Sequence, residues 1–88
     1  MTQNDPITCL QTPPAGTWSG AMPLPAVGAR VNVIMNGCGP GTVLGYWEHA
    51  GYVGVRVALD SPPAWRRDQG TPDSYPACVF GAEISSIP

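Results

Sequence analysis

The sequence predicts an all-β fold, a small five-stranded barrel that follows a Pro/Gly-rich N-terminal arm. The first observation is residues 51–60, "GYVGVRVALD", where apolar side chains alternate with small or polar ones at the period of a half-buried strand. The second is that short turn segments separate several such runs. The third is that no segment of the 88 residues has a helical period, and 11 prolines disfavour one.

The arm is predicted over residues 1–26 and the barrel over residues 27–88. Five prolines lie in the first 28 residues, which excludes a helix interior or a central strand there. We therefore expect this arm to be flexible or extended. Trp18 leaves two alternatives, because a large aromatic side chain in such an arm is either exposed with it or docked onto the domain.

The first strands follow in order. "ARVNVIM" (29–35) alternates, and "NGCGPG" (36–41) then begins with an Asn-Gly pair, which is typical of a tight turn with positive φ. "TVLGYWE" (42–48) is the second strand, in which Gly45 marks a bulge or a bend. "HAG" (49–51) is short enough to form a hairpin with the third strand.

The second half of the barrel begins with a long loop. Residues 60–73 contain three prolines, and loops of this length in a small domain are usually functional or mobile. "SYPACVF" (74–80) is the fourth strand, "GAE" (81–83) a helical turn and "ISSI" (84–87) the fifth strand. This layout is that of an SH3-like barrel, in which a small sheet closes upon itself.

The alternation also predicts which side chains are buried. Four side chains of the third strand form the central wall of the barrel: Val53, Val55, Val57 and Leu59. Tyr46 and Trp47 are adjacent on a strand, so they face opposite sides and only one of them can enter this core. The other is expected near Tyr52 or Arg56 of the next strand.

Charge and cysteine content narrow the function classes. The formal net charge is −2, with four Arg and no Lys, so the basic stripe of a nucleic-acid-binding protein is missing. No apolar run approaches the ~20 residues of a membrane span. The three cysteines have no zinc-ligand spacing, and the first residues do not resemble a signal peptide. We expect a cytoplasmic protein with reduced thiols and no membrane association.

No catalytic residue, cofactor or metal ion is predicted. His49 lies beside Glu48 in a short turn, where such a pair is ordinarily solvated and has no nucleophile beside it. Asp60, Asp68 and Asp73 lie in or beside the long loop, where Asp is more often a turn former than a metal ligand. Whether the protein is an enzyme stays open at this point, with the residues favouring a non-enzymatic role.

Aromatic residues at the strand ends and in the long loop predict a ligand surface. An aromatic surface beside a long loop is a frequent docking place for peptides, and Trp65 with Arg66 offers an anchor and a charged rim. The candidate ligand-binding residues are Trp47, Tyr52, Arg56, Trp65, Arg66 and Tyr75. The alternative is that these rings cap the core or are buried between identical subunits.

Two barrel families resemble parts of the chain. Residues 27–47 ("VGARVNVIMNGCGPGTVLGYW") and 51–62 ("GYVGVRVALDSP") are similar to the first half of a CAP-Gly domain. The tail-binding "GKNDG" signature of that family is absent, and "RRDQG" (66–70) stands in its place, so the resemblance implies the scaffold and not tail recognition. "GPGTVLGY" (39–46) resembles the KOW type of transcription factors.

The chain also resembles the plasmid- and integron-borne type II dihydrofolate reductases. The similar segments are "VGARV" (27–31), "GTVLGYW" (41–47), "GY" (51–52), "YP" (75–76) and "AEISSI" (82–87). This resemblance implies a barrel, a homo-oligomer and a site between subunits. The family's catalytic strand reads Val-Gln-Ile-Tyr and matches only at Tyr75, so reductase activity is not implied. Small Gly- and Pro-rich barrels of this type also resemble products of mobile elements and integron cassettes.

These observations favour a non-enzymatic binding module that recognises a peptide or protein through an aromatic surface. The alternative is a homo-oligomeric small-molecule binder or enzyme whose site forms where subunits meet. Nucleic acid is the least favoured partner, because the charge balance is acidic.

Overall fold

The computed structural model describes residues 10–67 and 76–87, which form one antiparallel sheet of five strands. The strands are β1 (Arg30–Val33), β2 (Gly39–His49), β3 (Tyr52–Leu59), β4 (Ala77–Phe80) and β5 (Ile84–Ser86). Two 3-10 turns, Met35–Gly37 and Gly81–Glu83, and one short helix, α1 (Ala64–Arg67), accompany them. The all-β prediction is confirmed. Within the described ranges no helix is long and apolar enough to cross a membrane.

The two turns before β2 and β3 use left-handed backbone. The predicted "NGCGPG" turn is tighter than expected: the 3-10 turn ends at Gly37, whose φ is +65°, and β2 already begins at Gly39. Between β2 and β3 only Ala50 (φ +53°) and Gly51 (φ +86°) lie outside the strands, as in a two-residue hairpin turn. Glu48 Oε2 accepts a hydrogen bond from the Gly51 N–H at 2.8 Å, which stabilises this turn.

One face of the sheet forms the core. The predicted wall is confirmed, since Val53, Val55, Val57 and Leu59 are all buried. Six valines are sealed almost completely from solvent: Val31, Val33, Val43, Val55, Val57 and Val79. Because β-branched side chains fit the pleated surface well, strands this rich in Val can pack a small core densely.

The sheet is coiled but does not close. Its order is β4-β3-β2-β1-β5, so β4 and β5 are its two edges, yet only Gly81–Glu83 connects them. Four strand spacings would separate the edges of a flat sheet by about 19 Å. The chain from Phe80 to Ile84 spans at most about 14 Å, so the sheet has to curl until its edges approach each other.

The predicted barrel closure is therefore wrong for the described residues. β4 pairs only with β3, and β5 only with β1. The physical reason lies in the connection: a 3-10 turn follows β4, whereas a hairpin turn would have paired β4 with β5. Backbone of the N-terminal segment lies against this connection, since a Cβ on Gly81 would come within 2.2 Å of the Gly20 nitrogen.

Residues 10–17 of the predicted arm lie along the sheet. β1 and β4 stop short of the β2–β3 turn, which leaves one free edge on each of the two central strands. Leu10 fills the first edge through a pair of backbone hydrogen bonds with Tyr46 (3.1 and 2.8 Å). Thr17 fills the second through bonds with Gly51 and Val53, both 2.8 Å. This segment thus crosses the hairpin from one strand to the other.

Residues 18–25 extend the core. Trp18 and Leu24 pack against the buried cluster, and Trp18 Nε1 donates to the Met22 carbonyl oxygen at 2.8 Å. The buried Tyr46 hydroxyl donates to the Pro25 carbonyl oxygen at 2.7 Å. Of the two alternatives for Trp18, the docked one is the arrangement in the structure. Residues 1–9 of the arm lie outside the described ranges.

An ion pair joins the start of β1 to the end of β3. Arg30 Nη1 donates to Asp60 Oδ1 at 2.8 Å and to Thr42 Oγ1 at 2.9 Å, while Arg30 Nη2 donates to Asp60 Oδ2. The hydrogen bonds from Arg30 and its positive charge hold the pKa of the Asp60 carboxyl below its usual range. The same hydrogen bonds and the negative charge of Asp60 raise the pKa of Arg30. Both side chains are exposed, so solvent screens the pair.

We predict that Asp60→Asn lowers stability near neutral pH and that the difference from wild type narrows in acid. A lowered folded-state pKa means that the carboxylate stabilises the fold above its unfolded pKa of about 4 and loses this effect as the pH falls through the folded value. The test compares the urea unfolding midpoints of wild type and Asp60→Asn at pH 7 and at pH 3. A gap that stays constant or widens toward pH 3 would contradict it.

Candidate functional site

A β-bulge in β2 decides which aromatic side chain faces out. Pairing with β3 runs Val43↔Val57 and then Gly45↔Arg56, so one extra residue, Leu44, is inserted into β2. Beyond the bulge, Tyr46 lies opposite the buried Val55 and is itself buried, whereas Trp47 lies on the outer face. Of the bulge or bend predicted at Gly45, the structure has a bulge, and its inserted residue is the neighbouring Leu44. The expectation that only one of the two rings enters the core is confirmed.

The outer face of β2, β3 and β4 carries a cluster that we call the aromatic face: Trp47, His49, Tyr52, Arg56 and Phe80. Trp47 and Phe80 are in contact, with ring centroids 4.7 Å apart and planes tilted by 35°. Tyr52 meets Phe80 edge-on at 6.3 Å, and His49 lies 6.2 Å from Trp47. None of these three pairs is a face-to-face sandwich, the arrangement that aromatic pairs disfavour.

Gly54 is the β3 residue that lies directly beneath the Trp47 and Phe80 rings. It lies opposite Trp47 on one side and Phe80 on the other. A Cβ at this position would come within 2.3 Å of Trp47 Nε1 and 2.6 Å of the Val79 carbonyl oxygen. The two rings can therefore meet across β3 only because this residue has no side chain.

Arg56 lies over the indole ring. Its guanidinium carbon is 5.6 Å from the Trp47 ring centroid, within the range of a cation–π interaction. Nη1 donates to Cys78 Sγ, a side chain on the neighbouring strand β4. In the described part of the chain, Arg56 Nε and Trp47 Nε1 are buried and have no hydrogen-bond partner.

A cleft of about 320 Å³ opens beside this face. One wall comes from the N-terminal segment and the other from β2 and β3; the lining residues are Leu10, Pro14, Tyr46, Trp47, Glu48 and Arg56. The cleft is at the small end of ligand pockets, large enough for one or two amino-acid side chains.

Three of the six predicted site residues meet here: Trp47, Tyr52 and Arg56. Tyr52 is 49% exposed. Trp65, which is 54% exposed, and Arg66 lie in α1, which follows the end of β3 opposite to Tyr52. Tyr75 lies outside the described residues.

The sequence reasoning missed Phe80, Leu10 and Pro14. Phe80 could have been found, because alternation from an inward Val79 places it on the outer face of β4. Leu10 and Pro14 had no such signal, since their place depends on backbone bonds to a distant strand.

The side chains of this site can make apolar contacts and one charged interaction. Glu48 is engaged with the turn and does not form an acid–base pair with His49. Among the residues that the structure describes, no group of three His, Cys, Asp or Glu side chains could hold a metal ion. The groups that this site presents are aromatic rings, one guanidinium and a small cleft.

Comparison with known proteins adds no identification. No protein-family model, no curated protein and no solved structure matches this chain.

We predict that Gly54→Ala lowers the free energy of unfolding by about 1–3 kcal/mol, the cost of overpacking. The new methyl group would collide with Trp47 Nε1 and the Val79 carbonyl oxygen. Urea unfolding of Gly54→Ala in the wild-type and Trp47→Leu backgrounds measures the coupling.

In the Trp47→Leu background the cost should be smaller, because the nearest colliding atom is gone while the carbonyl remains. An equal cost in both backgrounds, or a cost below about 0.5 kcal/mol in wild type, would mean that Trp47 does not lie on Gly54.

Proposed function

We propose that this chain is a non-enzymatic binding module whose aromatic face contacts a peptide or protein partner. The observation that carries the proposal is the contact cluster of Trp47, Phe80 and Tyr52, on a rigid strand pair and next to a cleft. Aromatic side chains with Arg are the residue types most enriched at the centres of protein interfaces.

An SH3-like architecture is part of this proposal. The strand order β5-β1-β2-β3-β4 supports it, as does the 3-10 turn directly before the last strand. A ligand site built on strands is held more firmly than one built on a loop.

The rings are arranged for binding before a partner arrives. Trp47 contacts the Phe80 ring and lies under the guanidinium of Arg56, and these contacts restrict its rotamers. A side chain that is already ordered loses less conformational entropy on association. Tyr52 adds a half-exposed ring whose apolar surface gains from being covered.

The alternative is a homo-oligomer whose site forms between subunits. It is favoured by the same exposed rings, since a second copy of the chain could cover the Tyr52–Phe80 pair. In that case the aromatic face is an interface of the assembly.

To test the proposal, random 12-residue peptides displayed on phage are selected on the full chain, and affinities of enriched peptides are measured by calorimetry. We expect Tyr52→Ala to weaken binding by about tenfold, because a hot-spot ring contributes more than ~1 kcal/mol. Ile34→Ala is the matched control, since Ile34 is 55% exposed but lies outside the aromatic face.

Two results would contradict the proposal. Equal losses in Tyr52→Ala and Ile34→Ala would place the peptide elsewhere. Failure of any peptide to enrich, together with light scattering that shows a stable multimer of the 9.2 kDa chain, would favour the alternative.

A further inference from the structure

The guanidinium of Arg56 has no acidic partner in the described part of the chain. The carboxylates described there are engaged elsewhere: Asp60 with Arg30, Glu83 with the Phe80 N–H, and Glu48 with the Gly51 N–H. The hydrogen bond that Arg56 does make is to the thiol sulfur of Cys78, a weak acceptor. Among the described residues, no carboxylate therefore forms a hydrogen bond or an ion pair with this guanidinium.

This situation is unusual for a half-buried Arg. A guanidinium has five N–H donors in a planar fork, and its strongest partner is a carboxylate that accepts two of them. Packing on the Trp47 ring and the burial of Nε take part of this cation out of water. An incoming carboxylate would replace the hydrogen bonds to water that burial has removed from the guanidinium. Binding an anion is therefore more favourable at this site than at a fully exposed Arg.

Because Arg56 lines the cleft, a carboxylate bound to it would lie next to that cleft. Arg56 lines the cleft together with Leu10, Pro14 and Trp47. A carboxylate on the guanidinium would therefore lie within one or two residues of an apolar group entering the cleft. Short acidic segments with a neighbouring apolar side chain present these two groups together.

We infer that the partner is an acidic peptide segment, in which an Asp or Glu carboxylate binds Arg56 while an adjacent apolar side chain occupies the cleft. This inference rests on the proposed function and names the chemistry of its ligand. Glu48 also lines the cleft, and its negative charge opposes such a ligand. Removing that charge should therefore strengthen binding.

The test uses the phage-selected peptides and their synthetic variants. We expect the enriched peptides to share an acidic position, and its change to Asn or Gln to weaken binding about tenfold or more. Arg56→Gln should cause a similar loss, Arg56→Lys a smaller one, and Glu48→Gln a gain. In the Arg56→Gln variant the acidic and amide peptides should bind equally, because the two groups act as one pair.

Three outcomes would overturn the inference. Peptides that enrich without an acidic position would leave the binding module in place and remove the role of Arg56. Acidic peptides whose affinity is unchanged by Arg56→Gln would place their carboxylate elsewhere. A 12-nucleotide single-stranded DNA that displaces the peptide and binds more tightly would assign Arg56 to phosphate. If no peptide enriches, the proposed function fails first, which separates the two failures.

Discussion

The bulge at Leu44 is the constraint on which most of this structure depends. Side chains on a strand alternate between faces, so one inserted residue exchanges the faces of everything that follows. With the insertion, Tyr46 lies opposite Val55 and enters the core, and Trp47 lies opposite Gly54 on the outside. Without it, the two rings would change places and the larger indole would have to fit a core built of valines.

Both the N-terminal segment and the aromatic face depend on this choice. The buried Tyr46 hydroxyl binds the Pro25 carbonyl oxygen, and the Tyr46 backbone pairs with Leu10. The outward Trp47 meets Phe80 and supports Arg56. One inserted residue thus places Tyr46 on the side of the sheet that holds the chain together and Trp47 on the side that carries the aromatic face.

The N-terminal segment lies against the connection between the two sheet edges, which do not pair within the described residues. β4 and β5 come close but do not pair, and the backbone at Gly20 lies against Gly81 between them. Trp18 and Leu24 pack against the core from this segment. These partly buried side chains add apolar contact to a small sheet, and small domains bury a lower fraction of their surface than large ones.

Sequence patterns predicted the strands well, because the period-2 alternation in residues 51–60 is strong and glycines mark the turns. They also predicted that Tyr46 and Trp47 face opposite sides. They did not predict which of the two faces in, because this depends on the register past the bulge.

Sequence patterns could not predict that the barrel stays open or where the cleft forms. Each depends on contacts between distant segments, such as Leu10 with Tyr46 or Gly20 with Gly81, and no local pattern encodes them. Pro-rich composition suggested an arm separate from the domain. Backbone hydrogen bonds and a docked Trp18 instead hold residues 10–25 against the sheet.

The nuclear Overhauser spectrum of the chain in solution tests the central claim most directly, because it reports which protons of Tyr46 and Trp47 lie near which strands. The structure predicts cross-peaks between the Trp47 indole and the Phe80 ring, and between the Tyr46 ring and the Val55 methyl groups. Cross-peaks from the Trp47 indole to the Val55 methyl groups, with Tyr46 beside Phe80, would show that the bulge is absent and would contradict the account.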